Sequence, residues 1–88
     1  MTEEQMVTVF VDAWRAWSKR PGDERSTRAK EAAARDLVGE SATALLAHVA
    51  DACRTAADPW ERVRPAAVEF LTSRRATARD LHPSGATR

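Results

Sequence analysis

The most apolar stretch of the chain runs from Met6 to Trp17. On a helix, at about 100° per residue, its apolar side chains cover more than half of the circumference and leave only a narrow polar strip. The apolar positions are Met6, Val7, Val9, Phe10, Val11, Ala13, Trp14, Ala16 and Trp17. A surface helix has a narrower apolar stripe than this. We therefore expect this helix to be enclosed by several neighbours or shared with a second molecule.

Local signals set the ends of this first helix and the start of the next one. Thr2 is a suitable N-cap, and the acidic residues that follow it are favourable at the positive end of the helix dipole. Pro21-Gly22 is a strong turn signal, so the helix is predicted to run from about Glu3 to Lys19. Asp23 or Ser26 can cap the second helix.

The segment from Glu24 to Ala57 is rich in alanine and contains one glycine and no proline. Its apolar residues recur in steps of three and four and form one seam: Ala34, Val38, Ala42, Leu45, Val49, Ala52 and Ala56. The seam keeps its phase through Gly39, and a glycine inside a helix costs only about 1 kcal/mol relative to alanine. This favours one long helix, continuous or kinked. The alternative is two helices, with Gly39 as a C-cap and Ser41 as an N-cap.

The sequence Asp58-Pro59-Trp60-Glu61 marks the start of another helix. It places aspartate at the N-cap, proline at the first helical position and glutamate at the third, as in a capping box. Pro65 lacks a backbone donor and disfavours a helical conformation at Arg64, so it is expected to interrupt this helix. We predict a short helical turn over residues 59–64 and a main final helix from Pro65 to about Asp80.

These elements predict an all-α fold, in which a small bundle of three main helices plus a short helical turn is built around the long central Ala-rich helix. With 3 glycines, 4 prolines and no tyrosine in 88 residues, the composition favours helices over strands. A chain of this length forms one domain with a thin core. We predict a single bundle over residues 1–81 and a flexible tail over 82–88.

The charge pattern and the single cysteine limit the classes of partner and compartment. The net charge is +1, but its sign alternates in blocks, acidic over residues 1–12 and 36–61 and basic over 13–35 and 62–88. One cysteine excludes an internal disulfide and fits a reducing compartment. No apolar run is long enough for a membrane span, and the acidic N-terminus is unlike a signal peptide. We expect a cytoplasmic protein that does not bind membranes.

No group of residues has the spacing of a catalytic or metal site. Cys53 lies beside the seam and is interpreted as structural, since no nearby cation would lower its pKa. His48 and His82 are the two histidines, and only Asp51 stands near His48 at a helical spacing. The chain carries neither a nucleophile elbow nor a Gly-rich phosphate loop. The prediction is a non-enzymatic protein without catalytic residues, metal or cofactor.

Nucleic-acid binding is the alternative function. Arg64, Arg75 and Arg79 would fall close together on the last helix and form an arginine ridge that could contact phosphates. The low net charge and the acidic blocks count against it. A helix-turn-helix centred on Gly39 also fails, because Arg35 and Glu40 occupy positions that require a small and an apolar residue.

The aromatic residues suggest an interface with another protein. Phe10, Trp14 and Trp17 have the spacing of a core-facing stripe, which is also the spacing of a helix that docks into a groove. Trp60 stands at the exposed start of a helix and is the best candidate for an interface anchor, although it could instead cover the end of the bundle. The predicted function is a small protein-protein interaction module, acting as an adaptor, regulator or inhibitor of a larger complex and self-associating as a homodimer. Its expected contact residues are Trp60, Trp14, Trp17, Arg64, Arg75 and Arg79.

Overall fold

The fold of the protein was obtained as a computed structural model that describes residues 1–81, with side chains described for residues 1–76. It contains four α-helices: α1 (Glu3–Lys19), α2 (Glu24–Val38), α3 (Ala42–Arg54) and α4 (Pro59–Leu81). A single 3-10 turn, Gly39–Ser41, joins α2 to α3, so these two helices form one joined segment of 31 residues. The predicted all-α bundle of three main helices is confirmed. The predicted tail at 82–88 lies outside the described residues.

Side-chain caps fix the beginnings of α1, α2 and α4. Thr2 and Gln5 form a capping box on α1, in which the Gln5 N–H donates to the Thr2 hydroxyl at 3.1 Å. The carboxylate of Asp23 accepts from the Ser26 N–H at 2.8 Å at the start of α2. At the start of α4 the carboxylate of Asp58 accepts from the Trp60 N–H at 3.2 Å. The helix starts predicted at these three positions are confirmed.

The long central segment is kinked at Gly39. This residue has φ 58° and ψ −123°, which is not a helical conformation, and its N–H closes α2 by donating to the carbonyl of Arg35. The apolar seam nevertheless continues across the kink, since Ala34 and Val38 before it and Ala42 after it are all buried. The prediction of one continuous or kinked helix therefore holds in its kinked form.

The predicted break at Pro65 is wrong. Helix α4 runs without interruption from Pro59, so residues 59–64 are its first turns and not a separate helical turn. Pro65 is exposed, and so is Glu61, whose carbonyl loses its partner because proline has no N–H. Water can hydrate that carbonyl. The burial of Val63, Ala66 and Ala67 around the proline favours the continuous helix.

All four helices contribute to one hydrophobic core. Its fully buried side chains include Phe10 of α1, Leu45 and Val49 of α3, and Val63 of α4. Three contacts run in opposite order along α1 and α4, from Arg15–Trp60 through Thr8–Arg64 to Glu3–Arg75, so these two helices are antiparallel. The start of α4 consequently lies beside the end of α1.

Helix α1 is largely enclosed by its own chain. Val7, Phe10, Val11 and Trp14 are buried, while the half-buried apolar residues Met6, Ala13 and Trp17 lie at the edges of this face. Val9, at 46% exposure, and Ala16 lie on its outer side. The expectation that several neighbours surround this helix is therefore met by α2 and α4 within a single copy.

Candidate functional site

The exposed tryptophan at the start of α4 is the most prominent apolar feature of the described surface. Trp60 is 42% exposed, more than any other aromatic residue whose burial is described. Asp58 and Pro59 begin the helix immediately before it, so its backbone position is fixed. On the α1 side, a guanidinium nitrogen of Arg15 donates to the carbonyl oxygen of Trp60 at 3.3 Å.

Trp60, Arg15 and Lys19 surround a shallow concavity of about 290 Å³, which we call the Trp60 surface. Arg15 and Lys19 lie one helical turn apart near the end of α1. Neither cation has a carboxylate within ion-pair distance among the described side chains. Arg28, Arg54 and Arg75 differ, because each pairs with an acidic residue of this chain. The Trp60 surface therefore presents two cations without an ion-pair partner among the described side chains, next to an exposed indole.

A second, smaller cavity of about 160 Å³ lies between the second half of α1 and the start of α4. Its walls are formed by Trp14, Ser18, Pro59, Trp60 and Val63. The lining is mostly apolar, and Trp60 borders both this cavity and the Trp60 surface. We refer to it as the inner cavity. Its size suits an aliphatic side chain better than a cofactor.

Trp14 and Trp17, two of the predicted contact residues, are used mainly in packing within the chain. Trp14 is only 5% exposed and contacts the rings of Phe10 and Trp17 at centroid distances of 5.9 and 5.4 Å. Trp17 is half-buried, and the Nζ of Lys30 lies 3.4 Å from its ring centroid. Trp14 also forms part of the wall of the inner cavity.

The contact of Lys30 with the two tryptophans was not found by sequence reasoning. Its Nζ also lies 5.1 Å from the ring centroid of Trp14, so the cation sits between α1 and α2. Burial lowers the pKa of Lys30, and the charge of Glu31 acts in the opposite direction. The spacing of residues within one helix carries no signal for this contact, because it depends on how α2 is placed against α1.

Two of the arginines in the predicted ridge lie in one groove between α1 and α4. Arg64 donates to the Thr8 hydroxyl at 2.9 Å, and Arg75 forms an ion pair with Glu3. The groove has a volume of about 350 Å³ and is also lined by Glu4. The side chain of Arg79 lies outside the described residues. Carboxylates thus stand beside the two described arginines of the ridge.

The cysteine and the described histidine are engaged in packing contacts. The Sγ of Cys53 lies 3.6 Å from the carbonyl oxygen of Pro59, and burial raises its pKa while the charge of Arg62 opposes the rise. The Nε2 of His48 lies 3.0 Å from Oε1 of Glu69. Among the side chains that the structure describes, no three His, Cys, Asp or Glu residues are grouped closely enough to hold a metal ion.

Over the helices that the structure describes, none has both the length and the apolar character needed to cross a bilayer. No protein-family model, curated protein or solved structure matches the chain.

Proposed function

We propose that this chain is a small non-enzymatic protein-protein interaction module, an adaptor, regulator or inhibitor, that binds its partner through the Trp60 surface. The exposure of Trp60 is the observation that carries this proposal. Tryptophan and arginine are the residue types that most often dominate the binding energy of protein interfaces, and here the two types are in contact.

The gain from covering Trp60 can be estimated from its exposure. A tryptophan side chain has up to about 250 Å² of accessible surface, so 42% exposure leaves roughly 100 Å². At about 25 cal/mol per Å², burying this area contributes at most about 2.5 kcal/mol before the entropy lost on association is subtracted. This is the magnitude of an interface hot spot. One residue of that magnitude can direct a partner to the start of α4.

Nucleic-acid binding through the arginine ridge has less support. Glu3 and Glu4 line the same groove as Arg64 and Arg75, so a phosphate backbone would approach carboxylates as well as guanidinium groups. If the ridge does bind nucleic acid, affinity for a DNA duplex should fall steeply with salt. Replacement of Arg64, Arg75 and Arg79 by glutamine should then abolish it.

Self-association is a secondary part of the proposal. Self-association is suggested mainly by the wide apolar surface of α1, but the core of a single copy already covers most of that surface. Val9 and Ala16 remain as the exposed apolar residues of this helix. Sedimentation equilibrium over a wide range of concentrations tests a homodimer directly. A strictly monomeric protein would remove this part without affecting binding to a different partner.

The test of the proposed function is affinity capture from the native host with three forms of the protein. A true partner should be retained by the unmodified chain and lost with Trp60→Ala. Val9→Ala is the matched control, because Val9 is 46% exposed on the outer side of α1 and should not affect capture. Circular dichroism verifies that both variants fold. If no captured protein distinguishes Trp60→Ala from Val9→Ala, the proposed function is wrong.

A further inference from the structure

The charges around Trp60 indicate the chemistry of the partner that this surface accepts. Asp58 is the acidic residue next to the tryptophan on its N-terminal side, and its carboxylate already accepts the Trp60 N–H. Asp12 and Glu61 are also near in sequence, but neither lies within ion-pair distance of Arg15 or Lys19. Both cations therefore remain available to an acidic group from another molecule.

Arg15 is held in place for such a contact. One of its guanidinium nitrogens donates to the Trp60 carbonyl, and this hydrogen bond joins α1 to α4 across 45 positions of the chain. A guanidinium has five N–H donors, so others remain for a carboxylate. A cation already fixed by one hydrogen bond loses less side-chain entropy when it binds.

The spacing of the two cations limits the spacing of the carboxylates. Arg15 and Lys19 are four residues apart on α1, which places them about 6 Å apart along the helix axis. Carboxylates two residues apart on an extended peptide are separated by about 6.6 Å, and those four residues apart on a helix by about 6 Å. A short acidic segment can therefore contact both cations at the same time.

We propose that the Trp60 surface binds an acidic segment of a partner protein that carries an aliphatic or aromatic anchor residue, an inference that rests on the proposed function. The acidic side chains pair with Arg15 and Lys19. The anchor packs on the indole of Trp60 and enters the inner cavity beside Trp14 and Val63. The indole supplies apolar area and the cations select for acidic sequences.

Single-stranded nucleic acid is the competing ligand for a surface of this kind, since bases stack on aromatic rings and phosphates bind cations. A peptide is favoured here for a geometric reason. The inner cavity has a volume of only about 160 Å³ and is lined mainly by apolar side chains, which suits a branched aliphatic side chain better than a flat base. An oligonucleotide therefore belongs in the test as a separate probe.

The experiment selects binders from a phage library of random peptides on the full immobilised protein. Enriched peptides should contain acidic residues around an apolar residue, and their affinity should decrease at least about tenfold in Trp60→Ala. The double variant Arg15→Gln/Lys19→Gln should weaken them about tenfold, and more so at low salt. The matched control is Arg28→Gln/Arg54→Gln, which removes two charges already paired within the chain and should change affinity by about twofold or less.

The outcomes separate this inference from the proposed function. The inference is wrong if the selected peptides require Trp60 but lack acidic residues, or if they bind the Arg15→Gln/Lys19→Gln variant with unchanged affinity. Either result would still agree with the proposed function as an interaction module. Failure to obtain any peptide that requires Trp60 would overturn both. Preferential binding of an oligothymidine probe that is lost in Trp60→Ala would replace the peptide by nucleic acid and also refute the inference.

Discussion

The glycine at the kink between α2 and α3 allows a sharp prediction about stability. Gly39 is the only residue of the described chain with positive φ, and a Cβ built on it would meet no other atom within 4 Å. Replacement by alanine therefore creates no steric clash with the rest of the protein. The whole effect of Gly39→Ala comes from its backbone conformation.

Two effects of opposite sign set the stability change caused by Gly39→Ala. Holding a residue with a Cβ in this sparsely populated region costs about 1–3 kcal/mol. Alanine also restricts the unfolded chain, which stabilises the folded state by about 0.4–1 kcal/mol. The net expectation for Gly39→Ala is a destabilisation of about 1–2 kcal/mol. In a domain of this size that lowers Tm by roughly 4–16 °C.

Gly22→Ala is the matched control. Gly22 also has open space around its Cβ position, but it does not have positive φ. At Gly22 alanine only restricts the unfolded chain, so this variant should be as stable as the original protein or slightly more stable. Both variants are compared by thermal and urea denaturation followed by circular dichroism. If Gly39→Ala is at least as stable as Gly22→Ala, the kink does not need a glycine and the reasoning is wrong.

Three further predictions concern α4, the core and the half-buried lysine of α2. Pro65→Ala restores a helical N–H for the Glu61 carbonyl and should stabilise the protein by about 2 kcal/mol in urea denaturation. The restored hydrogen bond and the removed ring clash outweigh the greater freedom of the unfolded chain without proline. An unchanged midpoint would contradict a continuous α4. Leu45→Ala should lower the free energy of unfolding by about 2–5 kcal/mol, since Leu45 is fully buried in the core. A loss of less than about 1 kcal/mol would contradict that placement, because it lies below the range expected for buried leucines. Lys30 should titrate below the ordinary lysine value of 10.5 in an NMR experiment, because its partial burial between α1 and α2 lowers its pKa. The unfolded chain then binds this proton more tightly, so stability should rise as pH increases from the lowered pKa of Lys30 to 10.5. Titration of Lys30 at or above 10.5 would refute its partial burial.

Much of the fold could be predicted because its determinants are local. The cap at Asp58 and the turn after α1 depend on residues within a few positions of each other, and both were predicted from the sequence. The buried seam from Ala34 to Val49 follows from periodicity alone, whereas Ala56 at its predicted end lies beyond the end of α3. Pro65 was misjudged for the opposite reason. Its local preference is real, but packing of Val63 and its neighbours against the core outweighs it.

The site was only partly predictable. Trp60 was identified from its position at the start of a helix, and Trp14 from its spacing in the apolar stripe. Arg15 and Lys19 were not connected with Trp60, because that contact joins positions 45 residues apart in the chain. It depends on the antiparallel placement of α4 against α1, a tertiary arrangement that no periodicity encodes. The proximity of Glu3 to Arg75 was missed for the same reason.

The kink at Gly39 divides the molecule into two helical hairpins, α1 with α2 and α3 with α4, that share one core. Since the seam is in phase on both sides of the kink, a straightened segment from Glu24 to Arg54 would keep one unbroken apolar face. The second hairpin of one copy could then pack on the first hairpin of another, with every native contact preserved except those of the turn. Domain swapping is thus a route by which two copies could associate without any new complementary surface.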